Sequence, residues 1–414
     1  MRCIKPSRIE GSASAPPSKS MMIRAVAAAA LARGKSEISN PAFCDDALAA
    51  MGCAGALGAK FRKKNGKLIV EGTLAPSGRA LDCRESGLCA RMFAPIAALF
   101  GKRLVLAGRG SLLTRNIGMM EGPLTSLGAE CSTSSGHLPV AIQGPIHGGN
   151  AEIDGAESSQ FLTGLLMALP LCKEDSAVAV RNLKSVPYVK MTLSLLKEFG
   201  VRARHTAGLE KFEIAGGQHY KPTAYEVEGD WSGASFLLVA GAIAGRVSVR
   251  GLRNDSLQAD RRIVDALELA GAKVKLGKDS ATVESGPLSA FEFDAADCPD
   301  LFPPLAALAC NCSGKSRIAG AGRLRGKESD RSAALVSELG KLGAKASVKG
   351  DVMEITGCCL RGGSVDSHND HRIAMACATA ALNSRGGARI KNEKCVAKSY
   401  PGFFEDLGSL QVGK

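Results

Sequence analysis

The sequence has 414 residues, and its 53 Lys and Arg against 40 Asp and Glu give a net charge of +13 and a pI near 9.2. The length suits two or more hydrophobic cores, and 45% apolar with 22% charged residues excludes a disordered or fibrous chain. The excess charge points to acidic partners, but one Trp, four Tyr and basic residues scattered along the chain argue against nucleic acid, and no apolar run reaches the roughly 18 residues of a membrane span.

In chain order, "PPSKSMMIRAVAAAA" (16–30) predicts a helix whose first turns carry Lys19, Ser20 and Arg24 and whose alanine body packs closely. Such an opening is either a solvated cap or an anion site, where free N–H groups, the helix dipole and two cations converge. Further small-residue helices are predicted to open at "RESG" (84–87), "ESSQ" (157–160), "DWSG" (230–233), "CPD" (298–300) and "HNDHR" (368–372), each with a capping residue or proline. Between them run amphipathic helices that close on "LGA" or a relative at Gly58, Gly128, Gly200, Gly271 and Gly343, with a weaker echo at Gly408. The intervals are 70, 72, 71, 72 and 65 residues. They describe six copies of one unit: small-residue helix, strand, amphipathic helix and alternating strands. The period is too long for a common solenoid and suits two domains of three units. If the units pack about a pseudo-threefold axis in each domain, their helix starts form an electropositive funnel.

Two later segments are dense in chemistry. "RLRGKESDRSAALVSELG" (323–340) places Lys327, Glu328 and Arg331 at a helix start, as a surface ion-pair cluster or as part of a site. "KNEKCVAKSYPGFF" (391–404) puts Lys398 just before a proline-initiated last helix. The "GKS" triplets at 34–36 and 314–316 are not P-loops, because Ala29 and Ala309 stand where that pattern requires Gly; "GAGRLRG" (320–326) misses the dinucleotide fingerprint. The fourteen Cys contain no C-x-x-C, and the pairs Cys310/Cys312 and Cys358/Cys359 lack zinc spacing. No signal-peptide pattern opens the chain, so a reduced, cytoplasmic protein without metal or other cofactor is expected.

The blocks "PSKSMMIRA", "ESSQFLTGLLMALP", "SVPYVKMTLSLLKEFG", "DCPDLFPPLAALA", "GKESDR", "NDHRIAMACATAAL" and "AKSYPGFFEDL" resemble, in order, the signatures of the 5-enolpyruvylshikimate-3-phosphate synthase family. The resemblance implies an α/β fold of two similar domains, each of three βαβαββ-type units around a pseudo-threefold axis. One domain would span 14–227 and the other 1–13 with 228–414, the two chain crossovers forming a hinge. It implies transfer of the enolpyruvyl group of phosphoenolpyruvate to the 5-hydroxyl of shikimate 3-phosphate, by a monomer with those two small substrates as partners. Carried over by motif, Lys19 bridges both substrates. Shikimate 3-phosphate is expected to meet Ser20, Arg24, Ser158, Ser159, Ser185, Tyr188, Asp300, Arg323 and Lys327. Phosphoenolpyruvate is expected to meet Gly87, Arg115, Gln160, Glu328, Arg331, Arg372 and Lys398. Asp300 is the expected base for the 5-hydroxyl, and Glu328 with Lys327 the candidates for protonating the methylene carbon.

The chain departs from the family pattern at Glu85 and Leu88, at Met92 in place of a common proline, at Asn116 after Arg115, and at Arg323 where asparagine is usual. These positions bear on the shape of the phosphoenolpyruvate pocket and on the response to glyphosate. Two alternative readings of the sequence are disfavoured. A transferase acting on UDP-N-acetylglucosamine is disfavoured by "PSKS" and by the lack of a long loop with a reactive Cys. A basic RNA-end-processing relative is disfavoured by the scattered charge.

Overall fold

The computed structural model describes residues 1–156 and 159–412. The chain divides into two units, one formed by Lys19–Val227 and the other by Met1–Ser18 with the chain from Glu228 onward. The first crossing lies at 18/19, not at the expected 13/14, because backbone pairing holds the intervening residues to the second unit. Ser14 sits in register with Arg250, Ala15 N donates to Arg250 O at 2.8 Å, and Ser18 N donates to Glu228 O at 2.8 Å.

Helices of two kinds alternate along the chain. The small-residue helices are α1 (Lys19–Leu31), α3 (Gly87–Ala97), α5 (Ser159–Ala168), α7 (Trp231–Ala244), α9 (Phe302–Cys310) and α11 (His371–Ala381). The others are α2 (Asp45–Ala56), α4 (Glu121–Ser126), α6 (Val186–Glu198), α8 (Ile263–Leu269), α10 (Arg331–Lys341) and α12 (Phe403–Ser409). The first kind is buried nearly all round: in α1 every residue from Met21 to Leu31 is inside. The second kind buries one face, as α6 does through Val189, Met191, Thr192, Leu195 and Leu196. Gly58, Gly128, Gly200, Gly271 and Gly343 each take a positive φ between 79° and 104°, the left-handed helix-terminating conformation that costs glycine least. Gly408 lies inside α12 and has no such φ, so the sixth echo is not a cap.

Four of the small-residue helices, α3, α5, α9 and α11, are crossovers of a parallel strand pair, and beside α3, α5 and α9 two antiparallel strands extend the sheet. Ala80–Asp82 pairs parallel with Leu104–Ala107 across α3, and His137–Gln143 and Glu130–Ser134 follow antiparallel. The same order holds for Gly149–Asp154, Ser176–Arg181, Lys211–Ile214 and Arg204–His205, and for Glu292–Asp294, Lys315–Ala319, Val352–Thr356 and Lys345–Lys349. In the Lys19–Val227 unit the repeat closes on itself. Ala224–Glu226, its last strand, lies parallel to Gly34–Ser39, beside Lys67–Gly72 and Lys60–Lys64. In the other unit Arg8–Ser14 pairs parallel with Gly245–Arg250, and Arg2–Ile4 runs antiparallel to Ala388–Lys391.

The helices pack tightly because their faces are small. In one unit α7, α9 and α11 touch one another; in the other α3 lies against α5, where a Cβ on Gly164 would come within 2.6 Å of Met92 O. This packing fixes where the helix starts lie, and Lys19, Ser20, Gly87, Ser159, Gln160 and Arg372 stand at those starts. Among the described residues no helix is long and apolar enough to cross a membrane.

Candidate active site

In the Lys19–Val227 unit, Arg24 draws three helices together. It is 1% exposed. Its Nε donates to Thr192 Oγ1 at 3.0 Å, Nη1 to Ser20 O at 2.9 Å, and Nη2 to Thr163 Oγ1 and Tyr188 O, both at 3.4 Å. All four acceptors are neutral, and among the described residues no carboxylate bonds to it. Burial lowers its pKa to about 10, which leaves it cationic at neutral pH. A buried charge with only neutral partners favours an anionic ligand. Around it the starts of α1, α5 and α6 bring Ser20, Ser159, Ser185 and Tyr188. Ser185, at the N-cap of α6, holds a φ of 57°, a strained value for serine. Ser158 lies outside the described residues. Lys19 Nζ meets Asp46 Oδ2 at 3.0 Å.

In the same unit the starts of α3 and α5 are joined by Arg91, whose Nη1 donates to Gln160 Oε1 at 3.3 Å and whose Nη2 donates to Asn116 O at 2.9 Å. Gly87 opens α3, and its missing side chain makes room for two guanidinium groups. A Cβ there would lie 2.4 Å from Arg115 Nη1 and 2.9 Å from Arg91 Nη1.

In the other unit a network of charges gathers at the starts of α9, α10 and α11. Arg331, the first residue of α10 and 1% exposed, donates from Nη1 to Asp300 Oδ1 at 2.8 Å and from Nε to Asp370 Oδ2 at 2.8 Å. Its Nη2 bonds Glu328 Oε2. Asp300, on the turn before α9, gives its other oxygen to Arg372 Nη2 at 2.9 Å. Asp370 caps α11 by accepting from Arg372 N at 2.9 Å. Burial acts against the charge on Arg331, and Asp370, Glu328 and Asp300 outweigh it, so its pKa is raised. Arg372 is raised on balance by the same contest, with Asp300 its largest favourable neighbour.

Lys327 lies partly buried beside this network. Loss of hydration, only partly offset by Asp300 and Glu328, lowers its pKa to about 8. Lys398 Nζ donates to Asn369 O at 2.7 Å, and Arg323 lies on a short turn, Ala321–Leu324, ahead of Lys327. Thus Asp300, Glu328, Arg331 and Arg372 meet in one hydrogen-bonded cluster.

Sequence reasoning missed the residues that hold these side chains. Thr163 and Thr192 grip Arg24, Asp46 meets Lys19, and Asp370 anchors Arg331. Asp370 stood in the "HNDHR" opening, where its capping role was legible; the threonines carried no signal, being ordinary helix residues in sequence. Asp260 is a further buried carboxyl, bonded by the Ser232 hydroxyl. Burial and the like charge of Asp300 raise its pKa to about 7. A surface cavity of about 1000 Å³, lined by Asp175, Lys197, Arg202, Arg204 and Glu213, contains none of the expected residues.

Comparison with known proteins agrees with the motif blocks. Residues 4–407 match the model of the EPSP synthase (3-phosphoshikimate 1-carboxyvinyltransferase) family. The chain is 39% identical over 413 residues to the 3-phosphoshikimate 1-carboxyvinyltransferase of Clostridium perfringens, covering 98% of this chain and 97% of that protein. It is 41% identical over 408 residues to the enzyme of the same name from Aeropyrum pernix, covering 98% and 95%. Among solved structures, EPSP synthase from Acinetobacter baumannii superposes with a TM-score of 0.82 at 25% identity, covering 99% of this chain and 98% of that one. The enolpyruvyl transferase NikO from Streptomyces tendae shares the fold, with a TM-score of 0.78 at 19% identity over 99% and 96% of the two chains. With this fold, these blocks in order and a family match over nearly its whole length, the chain belongs to the EPSP synthase (3-phosphoshikimate 1-carboxyvinyltransferase) family.

Proposed function

We propose that the protein transfers the enolpyruvyl group of phosphoenolpyruvate to the 5-hydroxyl of shikimate 3-phosphate and releases phosphate, with the residues above in the following roles. Arg24, with Lys19, Ser20, Ser158, Ser159, Ser185 and Tyr188, binds shikimate 3-phosphate; Arg323 and Lys327 add cationic contacts. Gly87, Arg115, Gln160, Arg331, Arg372 and Lys398 bind phosphoenolpyruvate. Asp300 takes the proton of the 5-hydroxyl as that oxygen attacks C2 of phosphoenolpyruvate. Glu328 and Lys327 deliver a proton to the methylene carbon and stabilise the tetrahedral intermediate. Loss of a proton from the new methyl group then expels phosphate and restores the vinyl group.

The observation that carries this reading is the Asp300–Arg331–Glu328 network. One buried guanidinium holds both carboxyl groups in fixed orientation, as general acid–base catalysis requires. Without substrate, Asp300 is spent on Arg331 and Arg372. The carboxylate and phosphate of phosphoenolpyruvate compete for those two cations, so binding of one substrate frees the base for the other. The family match and the named relatives favour this reaction over the UDP-N-acetylglucosamine alternative.

The same reading makes the protein a cytoplasmic monomer with no nucleic-acid partner. Its buried thiols, such as Cys53, Cys89 and Cys310, pack as small apolar groups, and its exposed large hydrophobics, such as Leu113, Leu257 and Leu276, are spread through the chain. The deciding experiment is phosphate release by purified protein with phosphoenolpyruvate alone, with both substrates, and with Asp300→Ala. Release that needs both substrates and collapses in the variant is expected. Release driven by UDP-N-acetylglucosamine instead would overturn the assignment.

A further inference from the structure

Glu85 is one of the positions where the chain departs from its family's pattern, and the structure shows what it holds. Arg84, at a φ of 49°, turns the chain just ahead of α3, and Arg84 O accepts from Arg109 N at 2.8 Å. This sets the 84–87 loop against the 109–115 segment. Glu85 Oε2 then accepts two hydrogen bonds from one residue, Ser111 N and Ser111 Oγ, both at 3.1 Å. Gly110 makes room for this: its φ is 57°, and a Cβ there would lie 2.5 Å from the Glu85 carboxylate.

Ser111 belongs to a five-residue 3-10 turn, Gly110–Thr114, and the residue that ends the turn is Arg115. A 3-10 turn has poor hydrogen-bond geometry and needs tertiary support. Two supports are present: Leu112 is fully buried, and the Glu85 carboxylate holds the other end. The same loop meets the segment a second time two residues on, where Gly87 leaves space for the Arg115 guanidinium. One short loop therefore grips both the start of the turn and the side chain at its end.

We propose that Glu85 is a positioning residue for Arg115: by fixing the Gly110–Thr114 turn it aims the guanidinium at phosphoenolpyruvate. The proposal rests on the reading of Arg115 as a phosphoenolpyruvate ligand. A neutral glutamine keeps an acceptor oxygen for Ser111, whereas alanine leaves the turn without its clamp.

The test measures KM for each substrate in Glu85→Ala, Glu85→Gln, Arg115→Ala and the double variant Glu85→Ala/Arg115→Ala. Glu85→Ala is expected to raise KM for phosphoenolpyruvate about tenfold and to leave KM for shikimate 3-phosphate within about twofold. Glu85→Gln restores most of the loss, and Glu85→Ala adds nothing in the Arg115→Ala background. Should Glu85→Ala prove insoluble, Ser111→Ala removes one of the two bonds and gives a smaller shift of the same kind. An equal rise in both KM values, or a full additional effect in the double variant, overturns the positioning role while leaving Arg115 as a ligand. An unchanged phosphoenolpyruvate KM in Arg115→Ala overturns the assignment of Arg115 and this inference with it.

Discussion

Asp300 divides its two carboxylate oxygens between two arginines, accepting from Arg331 Nη1 at 2.8 Å and from Arg372 Nη2 at 2.9 Å. The expected base is thus held between the two cations assigned to the other substrate. Removing either side of this arrangement has a different signature.

Asp300→Asn keeps the shape and removes the base of the proposed mechanism. Its kcat is expected to fall by about 10²–10⁴, with KM for phosphoenolpyruvate changing far less. Arg331→Ala leaves Asp300, Glu328 and Asp370 without their shared cation. That loss is expected to cost about 3–5 kcal/mol of stability, measured by denaturant unfolding, as well as activity. A stable Arg331→Ala protein would show that the cluster is solvated rather than buried.

In the proposed mechanism Lys327 is expected to set a basic limit on activity. Its pKa of about 8 means that the cationic form disappears as pH rises through that value. The pH profile of kcat is expected to fall above about pH 8, and Lys327→Arg, which stays charged, is expected to move that limb upward. The stability effect has the opposite sense: the unfolded lysine, with a pKa near 10.4, keeps its proton longer than the folded one, so this group's contribution to stability rises with pH between about 8 and 10.4. Coincident alkaline limbs in the two proteins would assign the limit to another group.

Arg24 holds its place with a planar fork that reaches three helices. Arg24→Lys keeps the charge but cannot bond Thr192, Ser20 and Thr163 together. KM for shikimate 3-phosphate is expected to rise at least about tenfold, with a smaller change for phosphoenolpyruvate. Equal changes in both would argue for a structural role alone.

Two glycines separate packing from positioning. At Gly164 a methyl group meets the backbone oxygen of Met92 at 2.6 Å, and backbone in a packed helix pair yields little. Gly164→Ala is expected to cost about 1–3 kcal/mol in unfolding experiments. At Gly87 the methyl meets the ends of two long side chains, which can move. Gly87→Ala is expected to keep most of the stability and to raise KM for phosphoenolpyruvate as Arg115 and Arg91 are displaced.

Glu338 ties α10 to the loop ahead of α11. It is fully buried and accepts from Lys341 Nζ at 2.7 Å, Asp366 N at 2.8 Å and His368 Nε2 at 2.8 Å. Burial pushes its pKa up, but these bonds and Ser337 outweigh it and hold the pKa at about 2. Its stabilisation is complete above the unfolded carboxyl pKa near 4.3 and is lost as pH falls toward 2, a contribution of about 2–3 kcal/mol. Glu338→Gln is expected to lower Tm at pH 7 and to flatten the acid limb of Tm between about pH 4.3 and 2. An acid limb of unchanged slope would place the acid sensitivity elsewhere.

What the sequence by itself determined is local. The capping residues and prolines at 17–20, 84–87, 230–233 and 368–372 announced helix starts, and "LGA" at Gly58, Gly128, Gly200, Gly271 and Gly343 announced helix ends, because such signals act within a single turn. Their recurrence showed six related units, and the motif blocks named the family. The echo at Gly408 failed because a repeated phrase does not require a repeated φ.

What only the tertiary structure decided is which distant groups meet. That Arg331 would bond acids 31 and 39 residues away, or Arg24 a threonine 168 residues away, follows from the crossover helices that bring separate chain segments side by side. The late crossing at 18/19 and the closing strand Ala224–Glu226 likewise depend on backbone pairing between the ends of a unit. The Glu85 clamp depends on a turn 26 residues on. Capping and periodicity are written in neighbouring residues, whereas a buried ion network is written in the packing that excludes water around it.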